Sequence, residues 1–389
     1  MRQVELICVT PDNNNKIYRM CENADNTFTA QWGRVGNSLD SMNYSIGQWD
    51  KKYKEKLKKG YKDITALRAD VPQTGFDLHP DTRVEKLLRS LQRHATNAVS
   101  ANYTVSSQNV TLAQVDEAQS IIDSIAQLKR NKDSINKDLL SLYSVIPRKM
   151  GNVKKELYSP ENALDWLQKK LAAEQNLLDV MRQQVSMAKI DTTDKSNLAD
   201  ALGITVRVPD DIEIKKVHAH LGQDAWRYVD SWIIESPASR AQFSKVNVFD
   251  VQRKVMTLWH GSRNQNWLNI IKTGLLIRPS GVITTGSMFG NGIYFADLAK
   301  KSIGYTSLEN SYWARGDSGS GYLALYDVLV GRQMTVDNST DMSYDKIRKA
   351  NYDSLFAKAG TRLYNNEYII YHAAQCTIKC IVELKSRSN

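Results

Sequence analysis

The sequence predicts a multidomain α+β protein: a small antiparallel sheet first, an all-α helical bundle second, and a mainly antiparallel α+β domain last. Three observations carry this reading. Apolar residues alternate in short runs over about 1–75; apolar positions recur at helical spacing while glycine nearly vanishes over about 76–195; strand-like runs return over about 196–389. A chain of 389 residues is long enough for two or three separate cores.

In the first region, 4–9, 16–20 and 27–32 alternate as strands do, parted by the turn-rich stretches 11–15 and 22–26. The third run ends in Trp32-Gly33-Arg34. A lysine-rich helix follows, carrying Lys51, Lys52, Lys54, Lys56, Lys58 and Lys59, with Tyr53 and Leu57 as its apolar stripe and Gly60 as its stop. In the second region, Asp81 is placed to cap a helix whose buried face is Val84, Leu87, Leu88 and Leu91. Thr111 and Gln114 form a capping box ahead of Val115, Ile122 and Ile125. A further helix ends near 142–147, and Ser159-Pro160 opens a long one with Leu164, Leu167, Leu171 and Leu178 on one face. The polar stretch 189–197 reads as a linker.

In the third region, strands are expected at 204–208, 246–251, 255–259, 323–330, 367–371 and 378–384, and helices at 212–221 and 225–235. No Gly-x-Gly-x-x-Gly follows a strand and no Walker lysine is present, so neither a Rossmann nor a P-loop site is supported. The informative stretch is Leu258-Trp259-His260-Gly261-Ser262-Arg263, followed by Met288-Phe289-Gly290-Asn291-Gly292-Ile293-Tyr294-Phe295-Ala296-Asp297, with Lys301, Ser302 and Tyr305 just beyond. A polar cluster after an apolar run, then a glycine-rich loop ending in aromatics, suits a flat polar ligand.

The net charge of +10 and a pI near 9.2 favour an anionic partner such as nucleic acid. Cys8, Cys21, Cys376 and Cys380 are too scattered for a disulfide framework, which points to a reducing, intracellular setting. The C-x3-C pair Cys376 and Cys380 sits in a strand-like run with no second pair nearby, so no metal is expected. The start of the chain lacks a signal-peptide core and no run approaches the ~18 apolar residues of a membrane span.

Trp32-Gly33-Arg34 and its surroundings through Ile64 resemble the WGR domain. Trp259-His260-Gly261-Ser262, the glycine-rich run to Asp297, Lys301-Ser302 and Tyr364-Asn365-Asn366-Glu367-Tyr368 resemble, in order, the catalytic domain of the DNA-dependent poly(ADP-ribose) polymerases. The helical region resembles that family's regulatory subdomain. The resemblance implies a WGR domain at 1–75, a helical regulatory domain at 76–195 and an ADP-ribosyltransferase domain at 196–389. It implies NAD+ as co-substrate and DNA strand breaks as activator. Protein acceptors, the chain itself among them, and a monomer are also implied. The location would be nuclear in a eukaryote, or the cytoplasm and nucleoid in a prokaryote.

Residue by residue, the resemblance makes Glu367, His260 and Tyr294 the catalytic set. His260 would bond the ribose 2′-hydroxyl, and Gly261 and Ser302 would hold the carboxamide. Tyr294 and Tyr305 would line the ring, Lys301 would join the donor site, and Ser262 and Asn266 would reach the adenosine side. Trp32 would stack on an exposed nucleotide, with Arg34, Lys51 and Lys52 on the DNA backbone. The chain also departs from that pattern. Leu276 stands where those members carry arginine, with Arg278 two positions on; Ser287 replaces a loop tyrosine; and the stretch between Val330 and Glu367 is shorter, with 352–360 in its place. Mono-transfer, a vestigial catalytic domain on a DNA-end-binding protein, and RNA 2′-phosphotransfer are the competing readings.

Overall fold

The computed structural model describes residues 1–68, 75–127, 131–159, 161, 164–188, 197–277, 288–360 and 363–387. Contacts divide the chain into two compact units, Met1–Thr74 with Thr96–Ile190, and Gly75–Ala95 with Asp191–Asn389. Among the described residues no helix is long and apolar enough to cross a membrane.

In the first unit, β1 (Gln3–Thr10), β2 (Asn14–Glu22), β3 (Thr27–Arg34), β4 (Asp40–Ser45) and β5 (Lys62–Asp63) form an antiparallel sheet in the order β4-β3-β2-β1-β5. The three alternating runs are its centre. β4 escaped the sequence reading because it is an edge strand with almost every residue exposed, so no alternation marks it. Helix α1 (Trp49–Lys58) covers the sheet with Trp49, which packs on Leu6, Tyr18, Met20 and Phe28. Its inward stripe is Trp49 and Tyr53; Leu57, expected there, is exposed. Gly60 ends the turn in the left-handed region, φ +82°.

The helices are α2 (Thr82–Asn102), whose residues are shared between the units, α3 (Leu112–Gln127), α4 (Lys132–Val145) and α5 (Leu164–Ala188). Both expected caps are formed. Asp81 accepts from Arg83 N and Val84 N at 2.8 and 3.2 Å. Thr111 Oγ1 accepts from Gln114 N at 3.2 Å while Gln114 Oε1 accepts from Thr111 N at 2.9 Å. Val84, Leu87, Leu88 and Leu91, Val115, Ile122 and Ile125, and Leu167, Leu171 and Leu178 are buried as the periodicity predicts. Pro160 and 189–196 lie outside the described residues.

The second unit continues with α6 (Leu198–Leu202), β6 (Thr205–Arg207), α7 (Asp211–Leu221), β7 (Tyr228–Glu235), α8 (Pro237–Lys245), β8 (Val255–Gly261), α9 (Trp267–Thr273), β9 (Ile293–Phe295) and α10 (Ala299–Ile303). Then come β10 (Ser320–Leu329), β11 (Gln333–Val336), α11 (Tyr344–Lys349), β12 (Ser354–Ala357), β13 (Glu367–Ile370) and β14 (Cys376–Lys385). One sheet runs β6-β7-β14-β10-β8 and the other β11-β12-β13-β9, antiparallel throughout except at β11 and β12. The architecture is thus α+β. Cys376 and Cys380 lie buried in β14, where desolvation pushes both thiols up to about 12.

Two expectations fail here. The helix expected at 225–235 is a short 3₁₀ turn followed by β7, because Tyr228–Glu235 pairs on both edges, with β14 and β6. Its Trp232 is buried and donates to the Arg83 carbonyl at 3.1 Å, so tertiary packing overrides the helical spacing. The strand expected at 246–251 is an irregular segment. Its amides have another acceptor: Phe249 N and Asp250 N donate to the Asp353 carboxylate at 2.8 and 3.2 Å.

That carboxylate also accepts from Arg332 N at 2.9 Å and from Arg348 Nη1 at 2.6 Å, and it is fully buried. Asp353→Ala is therefore expected to lower the unfolding free energy by about 3–5 kcal/mol, since it strands a partly buried guanidinium and three amides. The denaturant midpoint reads this directly; a loss below about 1 kcal/mol would show that the hub is dispensable.

Candidate active site

The site forms where the two sheets of the second unit meet. Trp259 N donates to the Ala296 carbonyl at 2.8 Å and Ala296 N to the Trp259 carbonyl at 3.0 Å, joining the end of β8 to the residue just past β9. The Trp259 ring is fully buried and its Nε1 donates to the His220 carbonyl at 3.1 Å. The next residues, His260 and Gly261, end β8 beside α10. Ser302 of α10 donates from its hydroxyl to the Trp259 carbonyl at 3.2 Å. A Cβ on Gly261 would lie 1.9 Å from the Ser302 carbonyl oxygen, so only glycine lets the helix sit this close.

His260 lies among the rings of Trp267, Phe295 and Tyr326. Burial there holds its pKa below the usual histidine value. Its Nδ1 is 3.0 Å from the Tyr294 carbonyl, which only accepts, so a neutral ring carries its proton on Nδ1 and leaves Nε2 as an acceptor. The Tyr294 hydroxyl accepts from Phe289 N at 3.1 Å and donates to the Gly290 carbonyl at 2.7 Å, pinning the glycine-rich loop. Gly290 has φ +79°, and a Cβ there would lie 2.0 Å from the Met342 carbonyl oxygen.

Glu367 opens β13, is 6% exposed, and accepts through Oε1 from Lys301 Nζ. Tyr305 stands close enough that, after burial, the Glu367 charge helps push its hydroxyl up to about 12. A clamp holds the chain on either side of Glu367. Asn366 Nδ2 donates to Asp297 Oδ2 at 2.8 Å, Asn366 Oδ1 accepts from Ala359 N at 2.9 Å, and the Tyr368 hydroxyl donates to the same Asp297 oxygen at 3.3 Å. Asn366 and Asp297 lie inside the sequence motifs, but nothing in their spacing says that they bond each other.

His260, Gly261, Tyr294, Lys301, Ser302, Tyr305 and Glu367 are thus linked by direct contacts or by one shared neighbour. Ser262 and Asn266 also meet, Asn266 Nδ2 donating to Ser262 Oγ at 3.0 Å. Arg278 and Ser287 lie outside the described residues. Leu276 is 51% exposed.

Residues 214–361 match the family described as PARP: Poly(ADP-ribose) polymerase catalytic domain. The invertebrate iridescent virus 6 protein named Putative poly [ADP-ribose] polymerase-like 100L is 32% identical over 149 residues, 36% of this chain and 77% of its own length. The chain belongs to the poly(ADP-ribose) polymerase family. A second protein of that virus, Uncharacterized protein 101L, is 35% identical over 153 residues, 39% of this chain and 65% of its own length. Zebrafish Poly [ADP-ribose] polymerase 1 is 23% identical over 425 residues, covering 95% of this chain. The match spans just under two thirds of 101L and 40% of the zebrafish protein. The matched catalytic domain is of the NAD+ ADP-ribosyltransferase kind.

In the first unit, Trp32 is half-buried and stacks on Tyr18 at 6.3 Å and 24°. Arg34 donates to the Asn13 carbonyl at 2.9 Å, to Asn13 Oδ1 at 3.0 Å and to the Gly151 carbonyl at 2.6 Å. Lys51 is exposed, and Lys52 Nζ sits 4.5 Å from the centre of the Tyr44 ring.

Because folded His260 resists a proton that the unfolded chain accepts near pH ~6.5, its contribution to stability is present above that value and is lost as pH falls through and below it. His94 and His220 are lowered in the same direction, by burial. Denaturation at about pH 7.5 and about pH 5.5 should therefore show a drop in stability that His260→Gln reduces but does not abolish. An equal drop in that variant would mean that His260 titrates normally.

Proposed function

We propose that this chain transfers ADP-ribose from NAD+ to protein acceptors, itself included, and extends it into a polymer, stimulated by DNA strand breaks. The observation that carries the reading is Glu367, a buried carboxylate held by Lys301 within the same cluster as His260, Tyr294 and Tyr305. The residues suit NAD+. His260 offers an acceptor nitrogen for a ribose 2′-hydroxyl. The Ser302 hydroxyl donates to Trp259 and keeps lone pairs for a carboxamide N–H, with the Gly261 backbone beside it. Tyr294 and Tyr305 supply ring faces for a cationic pyridinium. Ser262 and Asn266 take the adenosine side, and Arg278 is the candidate for the pyrophosphate.

Bound NAD+ supplies the ribose–nicotinamide glycosidic bond whose cleavage leaves positive charge on the ribose. Glu367 stabilises that charge electrostatically and accepts the proton of the incoming acceptor hydroxyl, as a general base. The transferred ribose thus exchanges its nicotinamide nitrogen for an acceptor oxygen. Lys301 orients the carboxylate. No metal has a part in this reading.

For DNA, residues 1–75 serve as a WGR domain, with Trp32 stacking on an exposed base and Lys51 and Lys52 on phosphates. Arg34 joins them by exchanging its carbonyl partners for a phosphate. The helical region, 76–195, restricts donor access until DNA engages, a population shift rather than chemistry. The chain's basic charge and the family resemblance support this part.

With labelled NAD+ and nicked duplex DNA, a high-mass smear is expected. A discrete single-unit shift would establish mono-transfer instead. Glu367→Gln should reduce product formation by at least about 100-fold, as for loss of a general base; undiminished turnover would remove Glu367 from the chemistry. Trp32→Ala should weaken DNA stimulation at fixed salt by about tenfold, on the scale of one base–aromatic stack, and leave turnover without DNA alone. Equal stimulation in that variant would end the proposed DNA role of Trp32.

A further inference from the structure

Residues 308–318 build a turn that none of the donor-site motifs includes. Leu308 pairs with Ser318 and Glu309 with Gly316, and the Ser311 hydroxyl accepts from Gly316 N at 2.7 Å. The turn is clasped to the site at Gly304, whose carbonyl accepts from Trp313 N and Ala314 N, both at 2.9 Å. Arg263 Nη2 adds a bond to the Ala314 carbonyl at 3.1 Å. A Cβ on Gly304 would lie 3.0 Å from Trp313 Cδ1, so the indole rests directly on this backbone.

The clasp lays Trp313 parallel to Tyr305, with ring centres 6.1 Å apart and an 18° interplanar angle. Lys301 Nζ lies 5.8 Å from the centre of the Trp313 ring and 5.9 Å from that of Tyr305, while it donates to Glu367. An ammonium on a flexible four-carbon stem has many positions open to it, and two ring faces restrict them through cation–π attraction. Trp313 is 46% exposed, with Tyr312 edge-on to it at 4.6 Å. It is therefore no core plug, and truncating it opens no buried cavity.

We propose that Trp313 is a positioning residue of the transferase site: it holds the Lys301 ammonium on Glu367 and backs the Tyr305 ring. The role rests on the transferase reading above and deepens it. Trp313 touches no reacting atom and acts through Lys301 on the rate and through Tyr305 on donor binding.

The test is steady-state release of nicotinamide from NAD+ by the full chain, with thermal scans confirming that each variant is folded. Trp313→Ala should lower kcat about 3- to 30-fold, the scale of one cation–π contact between exposed and desolvated settings, and raise donor KM by a smaller factor. Trp313→Phe should restore most of kcat. In a Lys301→Met background the further loss from Trp313→Ala should be under about twofold, because the residue through which it acts is gone. Unchanged kcat in Trp313→Ala, a change in KM alone, or an equal loss in the Lys301→Met background would each overturn the role. A wild-type chain that releases no nicotinamide removes the transferase reading, and this role with it.

Discussion

The candidate site depends on the pair of backbone hydrogen bonds between Trp259 and Ala296. They are the point at which one sheet, ending in β8, meets the other, ending in β9, and each sheet brings half of the chemistry. His260 and Gly261 come from the first; Tyr294 and Glu367 come from the second. Two such bonds contribute only about 1–3 kcal/mol net, so the splice does not hold by strength alone. It holds because Trp259 is locked by complete burial and by its bond to His220, which leaves the strand end one place to go.

Around that splice the site is fixed largely by main-chain contacts. Gly261 against Ser302 and Gly290 against Met342 are approaches that any side chain would block. The His260 tautomer is set by a carbonyl, and the loop below it by the Tyr294 hydroxyl on two main-chain groups. Charge is handled in the same way: the buried Glu367 carboxylate faces the Lys301 ammonium, while burial favours the neutral imidazole of His260. In the proposed reaction a neutral histidine adds no repulsion to a pyridinium donor, and the Lys301–Glu367 pair orients the carboxylate proposed to meet positive charge on the ribose.

Much of this was legible in the residues, and what was not has physical causes. The capped helices were readable because caps and stripes are local: Asp81 and Thr111 act within four residues of themselves. β4 and β7 were not, the first because an exposed edge strand shows no alternation, the second because an interior strand's spacing can imitate a helix until its neighbours are known. The segment 246–251 looked apolar enough for a strand; only the fold reveals that a carboxylate a hundred residues later takes its amides. In the site, the His-Gly-Ser and Tyr-x-x-Glu motifs named residues that the fold brings into one cluster. Asn366 and Asp297 stand inside those motifs, but their bond joins residues 69 positions apart, and the Trp313 turn lies outside the motifs, so neither contact shows in the spacing.

The two sheets also keep separate cores. Trp259, Leu323, Leu325 and Val382 pack in one, and Phe289, Leu355, Ile369 and Tyr371 in the other. Side chains in either core can be exchanged for others of similar volume at a modest cost in stability, because each cluster repacks within itself. The distance between His260 and Glu367 is less forgiving. It is set at the splice and by α10, which presses Ser302 on Gly261 while Lys301 reaches Glu367. Stability is therefore distributed over two cores, whereas the geometry of the site hangs on one short helix and one two-bond bridge. A substitution that leaves the chain fully folded but shifts α10 would separate the donor contacts from the carboxylate, and activity would be lost well before stability.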